Sequence, residues 1–160
     1  MAQNVFTQIL RDNEKGATIK VIGSYTGANS GNTIILQSNT LFGANNTKPC
    51  LVGITSIQYI VGIGTGALNL QWVSTVNANV TILNFGASSS ASPPYNGEFH
   101  AAEAAYLTNN ANTPTGDISL QVTNMAANDF FNFIITVQKE YTGNGTSYGA
   151  GAWANVFSAY

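Results

Sequence analysis

A chain of 160 residues, 44% hydrophobic and 11% aromatic, has the length of one domain and enough apolar side chains to build a core without disulfides or metals. Only 8% of its residues are charged, against about 25% in ordinary domains. Seven acids and five bases leave a net charge of −2, which excludes the basic stripe that nucleic-acid binding requires. A single cysteine, Cys50, excludes an intrachain disulfide framework and a multi-cysteine zinc site. No apolar run is long enough for a membrane-spanning helix, so neither nucleic acid nor membrane is expected as a partner.

The start, Met1-Ala2-Gln3-Asn4, has no basic region leading into an apolar one, which predicts a product made in a cytoplasm. Residues 1–16 read as an N-terminal arm, with Asn4–Leu10 compatible with a strand, a helical turn or an extended segment. A β-sandwich domain is expected over 17–141. Its first strands are predicted at Thr18–Ser24 and Thr33–Gln37, bounded by clusters such as Gly27–Asn32 and Gly43–Thr47. Ile57, Tyr59, Val61 and Ile63 alternate with other residues, as strands do. The glycines at 62, 64 and 66 then read as turn positions, because a dinucleotide fingerprint needs a following helix and Ala67–Thr75 reads as a strand.

Leu68, Leu70 and Trp72 alternate with Asn69 and Gln71, which places Trp72 in the core. Val80–Phe85 follows as a weaker strand. Glu98–Leu107 is Ala-rich, with Asn96 as a cap, and predicts the one short helix of the chain. Ile118, Leu120 and Val122 form the next strand, and Phe131, Phe133, Ile135 and Val137 the last. Residues 142–160 form a Gly-rich tail that ends in Trp153, Val156, Phe157 and Tyr160. The expected fold is therefore all-β, an antiparallel sandwich of jelly-roll or immunoglobulin-like strand order.

Chemistry-bearing residues are sparse. His100 is the single histidine, and on a helix Glu103 would share its face. Such a pair could transfer protons, and Glu98 with Glu103 could serve as paired carboxylates. An ordinary polar face accounts for them more simply, since no further acid or histidine completes a site. Cys50 reads as a small buried hydrophobe at a strand start. The expectation is a non-enzymatic protein without a catalytic site, bound metal or cofactor.

Charge placement is more informative than charge content. Arg11, Asp12, Glu14, Lys15 and Lys20 crowd the N-terminal stretch, whereas the 49 positions between Lys48 and Glu98 carry no charge. Interface cores are depleted in Lys, Glu and Asp, so the neutral stretch from Pro49 to Tyr95 is the expected contact surface, against the simpler reading of an Asn/Thr-rich solvated coat.

The segments Asn112–Leu120 and Asn128–Lys139, with Pro49–Val61 and Leu68–Trp72, resemble small virion proteins of tailed phages, including marine and cyanobacterial ones. The resemblance spans roughly residues 17–140 as a texture of strands. It implies a capsid decoration or cement protein at the virion surface, bound to the major capsid protein and self-associated as a homo-oligomer, with a trimer favoured. Expected interface residues are Val5, Phe6 and Ile9 of the arm, Tyr95, and Tyr148, Trp153, Phe157 and Tyr160 of the tail. Loop aromatics and abundant amides support an alternative, a carbohydrate- or receptor-binding module of a tail or head fibre.

Overall fold

The computed structural model of the chain describes residues 3–44, 50–75, 78–86, 95–100 and 114–141. Nine strands run in chain order: β1 (Gln3–Asp12), β2 (Gly16–Tyr25), β3 (Asn29–Leu36), β4 (Cys50–Gly62), β5 (Ala67–Ser74), β6 (Val80–Gly86), β7 (Tyr95–His100), β8 (Pro114–Met125) and β9 (Phe130–Tyr141). The one helical element among the described residues is a 3₁₀ turn at Ser38–Thr40.

The strands form a five-stranded sheet, β1-β2-β9-β4-β7, and a four-stranded sheet, β3-β8-β5-β6, and every pairing is antiparallel. Four of these pairings are nested: Gly16 lies opposite Gln138, Thr33 opposite Leu120, Ser56 opposite His100 and Ala67 opposite Gly86. The chain is thus one long hairpin with its tip between β5 and β6, rolled so that alternate pairs fall in opposite sheets. That order is a jelly roll with β1 added at one edge, and it decides between the two sandwich topologies open from sequence.

Period-two alternation builds the core. Ile19, Val21, Ile57, Val61, Phe131, Phe133 and Ile135 point inward from the larger sheet, and Leu68, Leu70, Trp72, Ile118, Leu120 and Val122 from the smaller. Phe85 of β6 bridges the layers, with its ring centroid 5.0 Å from Tyr59 and 5.9 Å from Phe133. Gly66, with φ +96°, turns β4 into β5 in a backbone region that suits glycine.

Buried charges tie the ends of the roll. Lys139 of β9 is enclosed and pairs with Asp12, while its ammonium also donates to the carbonyls of Asn13 at 2.8 Å and Phe42 at 3.2 Å. Asp129, in the β8–β9 turn, accepts the Gly64 and Ala126 amides, both at 2.7 Å. Asp117 accepts the Ser38 amide at 2.7 Å and its hydroxyl at 2.8 Å, fixing the 3₁₀ turn to β8.

Two expectations are corrected. Residues 3–12, placed in an arm with Asn4–Leu10 open between a strand, a helical turn and an extended segment, form a strand of the sheet, β1, and pair with β2 from Gln3 opposite Tyr25 to Asp12 opposite Ala17. Asn96 and Glu98–His100, assigned to the cap and first turn of a helix, lie in β7, and residues 101–107 fall outside the described residues. Phe99 packs inward against the core while Glu98 and His100 point outward, so tertiary pairing overrides local propensity.

Candidate functional site

The strand pairings generate two flat outer faces of different chemistry. On the four-stranded sheet, one row crosses all four strands as Asn32, Gln121, Asn69 and Asn84, and the next as Ile34, Ser119, Gln71 and Thr81. Gln121 Oε1 accepts from Asn69 Nδ2 at 3.2 Å and Gln71 Nε2 at 3.0 Å, and Asn84 Nδ2 donates to Asn69 Oδ1. Asn79, in the β5–β6 connection, accepts the Ser74 amide at 3.1 Å and donates to Ser119 at 3.4 Å. These two rows contain no charge; the amides of Asn69, Gln71, Asn84 and Gln121 hold one another in place, with Ser119 and Gln71 already buried. Asp117 lies at the margin, with its carboxylate committed to Ser38.

On the five-stranded sheet, the central row reads Phe6, Ile22, Asn132, Ile60, Asn96 from β1 to β7, and the next Gln8, Lys20, Ile134, Gln58, Glu98. Phe6 is 62% exposed, Ile60 48%, and Ile22 and Phe130 37% each. Phe130 lies over Gly62, where an added Cβ would stand 2.5 Å from the ring. A contiguous apolar patch of this kind marks an interaction surface, whereas single exposed apolar residues do not. Within it, Asn132 Oδ1 is buried and has no hydrogen-bond partner.

Of the residues expected at an interface, Phe6 lies on this apolar face. Val5 packs partly buried against the core. Ile9, 49% exposed, opens onto a groove between β1 and β3 lined by Thr7, Ile19, Ile34, Leu36 and Leu41. Tyr95, 41% exposed, sits opposite Val61 and 6.2 Å from the Phe85 ring. Tyr148, Trp153, Phe157 and Tyr160 lie outside the described residues, as do Glu103 and the side chain of Cys50. The structure therefore does not gather Val5, Phe6, Ile9 and Tyr95 into one site. It gathers Ile22, Ile60, Phe130, Asn132 and Ile134, which sequence reasoning passed over. Their signal was an apolar residue at a position whose neighbours two away face water, such as Ile134 between Asn132 and Thr136.

His100 Nε2 lies 2.8 Å from Glu98 Oε1, which also accepts from Gln58 Nε2 at 2.6 Å. Both side chains stand on the open sheet face, 66% and 42% exposed. Among the described residues nothing there excludes water, as catalytic acid–base pairs ordinarily require. No group of three or more metal-ligating side chains occurs among the described residues.

The chain matches no protein-family model, no curated protein and no solved structure.

Proposed function

We propose that this protein is a non-enzymatic structural component of a virion, which attaches to the outside of a capsid shell and cements or decorates it. The observation that carries the reading is the uncharged outer face of the four-stranded sheet, with its amides ordered across β8, β5 and β6. Such a face can bury against a partner without desolvating an ion, and its side chains are fixed before contact. The jelly-roll order supports the reading by analogy, since viral capsid and lectin domains use it. The partner is then the major capsid protein, as the sequence resemblance implies.

Electron microscopy of particles from the native source tests this directly: density of this fold should lie on the shell. Particles reassembled with Gln121→Lys, which puts a charge at the centre of the amide face, should lose the protein, while the variant remains folded by circular dichroism. Full occupancy with that variant refutes attachment through this face.

The same amides favour a second reading, the carbohydrate- or receptor-binding module, since ordered amides also recognise sugar hydroxyls. Tyr95, an exposed aromatic that could stack on a sugar, sits on β7 in the other sheet, so the shell reading comes first. Glycan-array binding that is lost on Tyr95→Ala or Asn69→Ala would reverse that order.

A further inference from the structure

The five-stranded face has a symmetry of its own. Asn132 lies on β9, the central strand, and is ringed by four apolar side chains: Ile22 and Ile60 beside it on β2 and β4, Phe130 and Ile134 along its own strand. The Asn132 oxygen is shielded within its own chain, so the ring of exposed apolar side chains around it is what this face offers a partner. The charges at the flanks are also arranged by sign. Lys20 and Arg11 stand on the β2 and β1 side, and Glu98 on β7 at the opposite edge. Among the described residues, Lys20 and Arg11 take part in no ion pair.

We propose that this face packs against the same face of a second copy, about a two-fold axis that runs along β9. A two-fold contact is self-complementary, so each residue meets its mirror position. Across this axis β2 lies over β4 and β1 over β7. Ile22 of one copy then meets Ile60 of the other, and Asn132 meets Asn132. Packed sheets stand about 10 Å apart, a gap that the exposed side chains of Ile22, Ile60 and Phe130 fill from both copies. Lys20 comes beside Gln58 and Glu98 of the second copy, and Arg11 falls over the Glu98–His100 pair. The natural twist of about 30° between packed sheets displaces the corners but leaves contacts on the axis in place.

The available area suits the occupant. Five strands at about 4.8 Å and four outward rows at about 6.7 Å give a face of roughly 24 by 27 Å. With side-chain relief, that approaches the ~800 Å² per partner that a standard interface buries. This inference concerns the isolated chain and does not depend on shell attachment.

Sedimentation equilibrium of the full-length protein tests it. At tens of micromolar the expected mass is twice the 16.8 kDa of one chain. Ile22→Glu and Ile60→Lys alter exposed positions, so each should keep the wild-type circular dichroism spectrum and weaken the dimer at least about tenfold. Combined in one chain, the two substitutions place opposite charges across the axis and should restore the dimer. A monomeric or trimeric wild type overturns the proposal. So do single variants that dimerise normally, and so does a double variant that stays as weak as the singles.

Discussion

The two outer faces share one core and differ in how they treat water. The four-stranded face satisfies its polar groups within itself: Asn69, Gln71, Asn84 and Gln121 are donors and acceptors to each other. The five-stranded face leaves both apolar area and a buried amide oxygen without partners. The first is a finished polar surface and the second an unfinished one. Low charge therefore has two meanings in this chain. On one sheet it is an ordered neutral coat, and on the other it accompanies an exposed apolar patch.

The comparison predicts that stability and association separate by face, and the largest effect should belong to neither. Asp12→Ala removes the partner of enclosed Lys139 and the acceptor of the Phe42 amide at 2.8 Å. Breaking a buried ion pair from one side costs about 3–5 kcal/mol. Chemical denaturation should record that loss, and dimer and shell binding should fall together with the folded fraction. If association survives while stability falls this far, the ion pair is not what holds β1, β2 and β9 in register.

Gln121→Leu comes next, because it strips the acceptor from Asn69 and from Gln71, which is 7% exposed. Leaving such donors unpaired costs about 1–3 kcal/mol. A lowered melting temperature with an unchanged dimer mass is the expected result. A weakened dimer would mean that the two faces are coupled through the core, and the contrast between them would fail.

How much of this could be read in advance follows from the physics of a strand. Inward positions announce themselves by alternation, so the strands around Ile19, Ile57, Leu68, Ile118 and Phe131 were all legible, as was the burial of Trp72. β7 was not, because Glu98 and His100 suit a helix locally and only Phe99, packed inward beside β4, commits them to a sheet. β1 was equally opaque, since its apolar residues lie on both faces of an edge strand. The outer patch is assembled from the β1–β2 hairpin, β4 and β9, which are separated widely in sequence. No local pattern announces that Ile22 and Ile60 flank Asn132, because that depends on the order in which the sheet is rolled.

Gly62→Ala probes the apolar face more gently. The new methyl would press on the Phe130 ring, which has room to swing outward at the surface. A stability cost of about 1 kcal/mol is expected from crowding of this kind, together with a weaker dimer measured by sedimentation. A dimer of wild-type strength would place Phe130 outside the contact.

The smallest effect should come from salt, and it separates the faces by whether they carry charge rather than by area. At 0.1 M ionic strength, screening already acts over about 10 Å, and exposed ion pairs contribute about 0–1 kcal/mol. The dimer proposed here brings Lys20 and Arg11 of one copy toward Glu98 of the other, so added salt should weaken it slightly. The amide face presents no charge in its two central rows, so release from a shell should not follow salt at all. Protein shed from particles by moderate salt would mean that charged groups make the attachment. The N-terminal cluster of Glu14 and Lys15 beside Phe42 would then be the surface to test, because it is where the described charges crowd together.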